Sequence, residues 1–224
     1  MPTCRHVAWS MTMQLIVIGT PKLQNSHHYH MAKITILPST NFFPKTWSGG
    51  TTTELFIYPS AAKYAERNFD FRLSTATVEV EKSIFTPLIG VSRTLMVLDG
   101  GMSLDHEDHH NAKLGKMGVD QFEGDWNTSS VGKCTDFNLM TTSKTSGLLE
   151  GIALEKDQVT NHTISKGSDW FFVYSYSGKA NIDIDGDKHT ISKGDLLIIN
   201  GLTSETIQIH SIDSSELVLC HTTH

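Results

Sequence analysis

The feature that most constrains the fold is a long series of short extended segments separated by glycine turns. Candidate strands show alternating apolar and polar residues or short β-branched runs. Turn signals such as Gly100-Gly101 and Asp185-Gly186 separate them. No segment carries a long helical period, and the best helix candidate is the short stretch Ser60 to Glu66. The sequence therefore predicts an all-β sandwich or barrel. The candidate strands cover residues 33–37, 53–58, 71–81, 93–99, 118–122, 135–141, 170–176, 180–185, 196–200 and 206–212.

Composition excludes several classes of protein. Hydrophobic residues make up 38% and charged residues 19% of the 224 positions, which is typical of a folded globular chain. The net charge is −6, so the basic patch expected of a nucleic-acid-binding protein is not indicated. No apolar run approaches the roughly 20 residues of a membrane helix. The cysteines Cys4, Cys134 and Cys220 stand far apart, which favours a reduced, cytoplasmic protein without a disulfide framework.

The chain divides into an unusual leader and a β-rich body. Residues 1–30 contain His27, His28 and His30 and are predicted to be an N-terminal extension outside the fold. Within residues 31–224, the stretches 93–122 and 169–199 share one order of strand, glycine turn, polar strand, loop and strand. This weak repeat predicts two jelly-roll halves with a boundary near residues 130–165.

Two arginines occur on strand faces that otherwise carry apolar residues. In the strand that begins at Phe71, alternation places Arg72 on the face of Val78, and Leu73 on the opposite, glutamate-bearing face. In the next candidate strand, Arg93 shares a face with apolar residues. A buried guanidinium requires an anion or several acceptors, because an unpaired buried charge is very costly. The partner is either an internal carboxylate or a ligand.

Four segments in order resemble the HutD/Ves family of cupin-like bacterial proteins, from about residue 31 to about residue 199. They are FPKTWSGGTTTELFIYP at Phe43 to Pro59, FDFRLSTATV at Phe69 to Val78, FTPLIGVSRTLMVLDG at Phe85 to Gly100, and FEGDW at Phe122 to Trp126 followed by DFNLM.

The resemblance implies a cupin-like jelly roll, built as a bicupin-type double barrel or curved sandwich. It also implies a cytoplasmic small-molecule-binding protein. One branch of the family is associated with regulating histidine utilisation and the other with environmental stress. No catalytic activity is established for the family as a whole, so we expect a binding protein rather than an enzyme, with no cofactor.

The predicted ligand is a small carboxylate metabolite of the urocanate or formylglutamate type, held by the planar forks of the arginines. A structural role stays open for both groups of residues. The arginines could pair with Glu54 and brace the barrel instead of binding a ligand. The glycine pair could form a turn beside a core Trp47 instead of lining a pocket. The predicted binding residues are Arg93, Arg72, Glu54, Trp47, Gly49, Gly50, Thr52 and Ser74.

A histidine-rich stretch at residues 105–110 gives the rival interpretation, a metal-dependent cupin dioxygenase or isomerase using His106, His109 and His110. Metal cupins carry a His-x-His pair, a nearby Glu and a distant His on barrel strands. This stretch departs from that pattern and reads as an exposed acidic loop, so no metal site is predicted. A third possibility is a purely structural interaction protein. Exposed edge strands are also compatible with a homodimer.

Overall fold

The computed structural model describes residues 32–165, 167–201 and 206–224, which form nineteen strands and two short 3-10 helices, Ser39–Asn41 and Tyr64–Glu66. The predicted extension at residues 1–30 lies outside this range. The strands are β1 (Lys33–Leu37), β2 (Lys45–Trp47), β3 (Gly50–Tyr58), β4 (Phe71–Val78), β5 (Lys82–Ile84), β6 (Val91–Gly100), β7 (Met102–His106), β8 (Asn111–Leu114), β9 (Val119–Glu123), β10 (Thr128–Val131), β11 (Cys134–Thr142), β12 (Ser146–Leu154), β13 (Val159–Thr163), β14 (Trp170–Ser177), β15 (Lys179–Ile184), β16 (Asp187–Ser192), β17 (Leu196–Asn200), β18 (Thr206–Ser211) and β19 (Ser215–Thr223).

The strands form two pairs of antiparallel sheets. The first unit has a six-stranded sheet, β2-β3-β4-β11-β6-β9, and a four-stranded sheet, β5-β10-β7-β8. The second has a five-stranded sheet, β1-β17-β14-β19-β12, and a four-stranded sheet, β13-β18-β15-β16. The chain passes from the first unit to the second between Thr142 and Ser146, while β1 pairs with β17 of the second unit. The prediction of an all-β fold is confirmed.

The central strands of the six-stranded sheet, β4, β6 and β11, are buried on both faces because the second unit packs against the outer face of this sheet. Phe71, Leu73 and Phe137 have no exposed surface and share one hydrophobic cluster with Phe172 and Val218 of the five-stranded sheet. Leu73 thus lies on the face opposite Arg72, as alternation predicts, but the second unit covers this face around Leu73. Each buried phenylalanine removes roughly 150–250 Å² from water, so this contact is a main source of cohesion between the units. The inner face is left to line the first barrel.

The predicted helix at Ser60 to Glu66 is reduced to the single 3-10 turn Tyr64–Glu66. The Asn68 side chain accepts a hydrogen bond from the Lys63 backbone N–H at 2.7 Å, which gives the backbone a local alternative to a helix. Arg67 then takes a left-handed conformation with φ of 52° and ends the turn. Within the described ranges, no helix has the length and apolar character needed to cross a membrane.

Candidate anion-binding site

A cavity of about 410 Å³ lies inside the first barrel, between its two sheets. Its walls come mainly from β3, β4, β6 and β11 of the large sheet and from β5 and β10 of the small one. Trp47 is 38% exposed and Ile84 is 85% exposed, so the cavity opens to solvent on the side of β2 and β5. Of the eight predicted binding residues, the lining contains Arg93, Arg72, Glu54, Trp47, Thr52 and Ser74.

The strand register places Arg72 and Arg93 at the same level on β4 and β6, the two strands that flank β11. Met140 of β11 pairs with Arg72 of β4 and with Arg93 of β6. Directly cross-strand residues lie on the same face of a sheet, so both guanidinium groups enter the same cavity. Adjacent strands are roughly 4.8 Å apart, which separates the two arginine backbones by about 10 Å. One row further along, Asn138 lies beside Ser74.

Arg72 is 5% exposed and already has protein partners. Its Nε donates to Glu54 Oε2 at 2.7 Å, and a terminal nitrogen donates to Ser74 Oγ at 2.9 Å. The guanidinium also lies over the Tyr64 ring, 4.5 Å from its centroid. The bracing role that the sequence left open therefore applies to Arg72 in part. A guanidinium has five N–H donors, so donors remain for a ligand.

Arg93 has a different environment. It is 8% exposed, and its Nε is buried without a hydrogen-bond partner among the described residues. The guanidinium lies between two aromatic rings, 4.6 Å from the Phe85 centroid and 5.3 Å from that of Phe122. Burial lowers the pKa of Arg93 from 12.5 to about 10, so it remains charged at neutral pH. A buried, charged donor without an acceptor in the described part of the chain indicates a place for a ligand acceptor.

Asp136 and Asn138 lie beside the arginines and were not predicted. They are 2% and 6% exposed, and both line the cavity. The Asn138 amide nitrogen donates to Asp136 Oδ1, while Asn138 Oδ1 has no hydrogen-bond partner in the part of the chain that the structure describes. Burial raises the pKa of Asp136 from 3.8 to about 7, although the hydrogen bond from Asn138 and the charge of Arg93 oppose the rise. Near neutral pH this carboxyl group therefore exists in both protonation states.

The charged groups in the lining give the cavity a positive balance. Lys45, Arg72 and Arg93 are cationic, and Glu54 and Asp136 are the acidic groups. The net charge is +1 when Asp136 is ionised and +2 when it is protonated. An anion is therefore the complementary ligand in either state.

Gly49 and Gly50 lie outside the cavity lining. A Cβ on Gly50 would lie 1.9 Å from the Thr77 carbonyl oxygen, and one on Gly49 would meet the Trp47 ring at 2.1 Å. The glycines thus permit β3 to approach β4 closely and the indole to lie over the turn. The structure places them behind the cavity wall rather than on its surface. Trp47 itself is not a core residue, because 38% of it is exposed.

A model of the HutD family matches residues 39–218. The chain belongs to the HutD family. A conserved protein of unknown function, PA5104 from Pseudomonas aeruginosa PAO1, has 20% identity and a TM-score of 0.73, with 86% of this chain and 100% of that one covered. HutD from Pseudomonas fluorescens SBW25 has 22% identity and a TM-score of 0.65, with 85% and 98% covered. A search of curated proteins found no match.

The similarity in fold extends beyond HutD proteins. The bacterial pirin YhhW from Escherichia coli, solved in complex with nickel(II), has 12% identity and a TM-score of 0.63, with 84% of this chain and 98% of that one covered. The resemblance to a cupin-like HutD fold is therefore confirmed. At these identities the structural comparisons show the fold alone.

In this HutD-family chain, the four sequence segments converge on the cavity. The first supplies Trp47, Thr52 and Glu54, and the second supplies Arg72 and Ser74. The third supplies Phe85 and Arg93, and the strand after the fourth supplies Asp136 and Asn138. Segments that are distant along the chain thus form a single wall around one space.

The histidine-rich stretch lies outside the cavity. His106 ends β7 and is 2% exposed, so the expectation that the whole stretch is an exposed loop was wrong. His109 instead stacks on Trp126, with ring centroids 3.7 Å apart. The structure thus brings His106 and His110 together, with ring centroids 4.6 Å apart, but not His109 with them as a set of three ligands. Among the described residues, no histidine lines the cavity, so the metal-dependent enzyme has no imidazole ligand there.

Proposed function

We propose that this HutD-family chain is a binding protein for a small carboxylate metabolite, held in the cavity of the first barrel. The observation that carries the proposal is the buried, charged Arg93 guanidinium, whose Nε has no hydrogen-bond acceptor among the described residues and which lines about 410 Å³ of space. Cavities of roughly 300–1,000 Å³ are typical of small-molecule sites. Arg93 provides the principal charge, and the free donors of Arg72 provide a second contact.

The polar groups beyond the arginines favour a ligand that has an N–H donor as well as a carboxylate. Asn138 Oδ1 is a buried acceptor without a partner among the described residues, and the carboxyl group of Asp136, which keeps an acceptor oxygen in either protonation state, lies nearby. Urocanate carries an imidazole N–H and formylglutamate an amide N–H, so both classes match. The Phe85 and Tyr64 rings at the arginines would cover the apolar part of the ligand.

The biological role we propose is regulatory, in histidine catabolism or in a stress response, in the cytoplasm. Membership of the HutD family supports a role in histidine catabolism. It leaves a role in a stress response open. Binding through arginine requires no metal. The homodimer stays a prediction.

The first test is calorimetry and thermal melting of the full chain with urocanate, formylglutamate, glutamate and formate. A ligand that binds only the folded state raises the melting temperature. We expect at least one carboxylate to bind saturably at one site per chain. Its methyl ester, which keeps the shape and loses the charge, serves as the matched control and should bind at least tenfold more weakly. Equal affinity for acid and ester would remove the basis of the proposal.

A second test uses Glu54→Gln, which should strengthen carboxylate binding. Glu54 offsets the charge of Arg72, and glutamine keeps an oxygen that can accept the same hydrogen bond. The Glu54 side chain is 37% exposed, so the effect is screened by water. Such partly exposed pairs are worth about 0.2–1 kcal/mol, so we expect affinity to rise by a factor of roughly 1.5–5. Weaker binding in the variant would show that Glu54 positions Arg72 rather than moderating its charge.

An enzymatic role is the second candidate, and Asp136 is the observation that favours it. A carboxyl group whose pKa is about 7 suits general acid–base catalysis near neutral pH. Proton transfer to a bound carboxylate metabolite would need no metal. Overnight incubation with each ligand that binds, followed by proton NMR in D₂O, would detect isomerisation or deuterium exchange. A spectrum that stays unchanged leaves the binding function.

A further inference from the structure

A second polar cluster lies on the far side of Phe122 from Arg93. His106 of β7, His110 after it and Asp120 of β9 point at one another. The distance from His106 Nε2 to Asp120 Oδ2 is 2.8 Å, and that from His110 Nε2 to Asp120 Oδ1 is 2.9 Å. Each imidazole therefore contacts a different oxygen of the Asp120 carboxylate. None of the three residues lines the anion cavity.

The contacts of His106 orient its imidazole toward Asp120. Its Nδ1 lies 2.8 Å from Thr128 Oγ1, and the Thr128 hydroxyl lies 3.5 Å from the Trp126 carbonyl oxygen. In the tautomer whose Nδ1–H donates to Thr128, the lone pair of Nε2 faces the Asp120 carboxylate, and a cation between these two acceptors satisfies both.

We propose that His106 Nε2, His110 Nε2 and the Asp120 carboxylate bind one divalent transition-metal ion of the zinc type. Two imidazoles and a carboxylate are a common ligand set for zinc. A ligating histidine normally donates its other ring N–H to an oxygen, which is the arrangement that His106 makes with Thr128. The site goes beyond the proposed anion-binding function and lies outside the cavity that serves it.

The gradient of exposure across the three residues fits a metal that enters from solvent. The exposed fraction of the side chains rises from 0% for His106 to 11% for Asp120 and 41% for His110. Ligand atoms around a tetrahedral zinc ion are about 3.3 Å apart, given bonds of about 2.0–2.1 Å. The three groups therefore need to separate by a few tenths of an ångström, and the exposed His110 can move to allow it. Three protein ligands leave one position for water.

The test measures zinc binding to the full chain after chelator treatment, with H6Q, H27Q, H28Q and H30Q introduced to remove the four histidines of residues 1–30. We expect one equivalent of Zn²⁺ per chain to compete with a chromophoric chelator. Either H110Q or D120N should weaken that binding at least tenfold. H109Q is the matched control, because His109 is in the same stretch but stacks on Trp126, and it should bind zinc like the parent.

Equal zinc binding by the parent, H110Q and D120N would overturn the proposal, as would a loss of zinc confined to H109Q. A second measurement locates the ion without relying on those variants. The Trp126 ring centroid is 5.7 Å from the ring centroids of both His106 and His110. Paramagnetic Cu²⁺ at this site should quench Trp126 fluorescence, and the W126F variant should lack that component. Quenching that is unchanged in W126F would place the ion elsewhere.

Discussion

Replacing Arg93 with methionine is expected to abolish carboxylate binding and also to stabilise the ligand-free protein. The guanidinium is buried between Phe85 and Phe122, and its Nε has no acceptor within residues 32–165, 167–201 and 206–224, so its desolvation is poorly compensated. Methionine is unbranched and packs well against aromatic rings. Replacing buried charges by apolar residues of similar size often stabilises a protein by about 1–4 kcal/mol. Urea denaturation of the ligand-free protein should show a gain in this range.

Carboxylate binding by Arg93→Met should weaken, although the ligand-free protein becomes more stable. Removing one partner of a buried, charged hydrogen-bonded pair costs about 2–5 kcal/mol, so the dissociation constant of the carboxylate should rise roughly thirtyfold or more. The matched control is Arg67→Met, because Arg67 is exposed and outside the cavity, with one long hydrogen bond of 3.4 Å to the Pro87 carbonyl oxygen. It should leave both quantities nearly unchanged. A less stable Arg93→Met protein would mean that Arg93 braces the barrel, and retained binding would place the ligand elsewhere.

The sequence alone was enough to identify the two arginines as candidate binding residues. Strand alternation is local, so one strand is enough to place Arg72 on an apolar face. A charge in that position conflicts with the local pattern, and such conflicts are expected at functional sites. The same reasoning could not decide between a ligand and an internal partner. That decision depends on Glu54, whose distance from Arg72 is set by the pairing of β3 with β4.

Asp136 shows what local patterns miss. It lies on β11, which is buried on both faces because the second barrel covers Phe137 and Leu139. Residues 136–139 do alternate, but the apolar Phe137 and Leu139 face the second unit and the polar Asp136 and Asn138 face the cavity, so the pattern by itself predicts a solvated face for Asp136. The covering residues, such as Phe172 and Val218, are distant in sequence and carry no signal near Asp136.

His106 illustrates the opposite error. Its neighbours at residues 107–110 are polar and exposed, and this composition predicted a solvated loop. The preceding alternation was the better guide, because Met102, Leu104 and His106 form one buried row on β7. Because the alternation of β7 continues through Asp105, it assigns His106 to the strand although polar residues follow it. Composition averaged over the stretch conceals this.

Replacing Asp136 with asparagine is expected to remove a decline in stability between about pH 4 and pH 7. In this window the unfolded chain releases the proton of Asp136, whereas the folded chain keeps it up to a pKa of about 7. The unfolded state then binds fewer protons, so stability falls as the pH rises, and the loss stops above the folded pKa. One pH unit corresponds to about 1.4 kcal/mol, which gives a decline of roughly 4 kcal/mol at most. Asparagine does not titrate and can still accept from Asn138.

The difference in the free energy of unfolding between variant and wild type should therefore grow in favour of the variant from pH 4.5 to pH 8, as measured by urea denaturation. The control is Asp187→Asn, an exposed aspartate on β16, for which that difference should stay nearly constant. A constant difference for Asp136→Asn would show that the carboxyl group ionises normally in the folded chain.

The same group should make carboxylate binding depend on pH. A bound anion favours the protonated form of Asp136, because ionised Asp136 reduces the charge of the cavity from +2 to +1. Affinity in the wild type should therefore fall as the pH rises through about 7, with uptake of a proton on binding. Calorimetry in buffers of different ionisation enthalpy measures that uptake directly. The Asp136→Asn variant should bind the carboxylate without proton uptake, because an amide side chain neither takes up nor releases a proton near neutral pH.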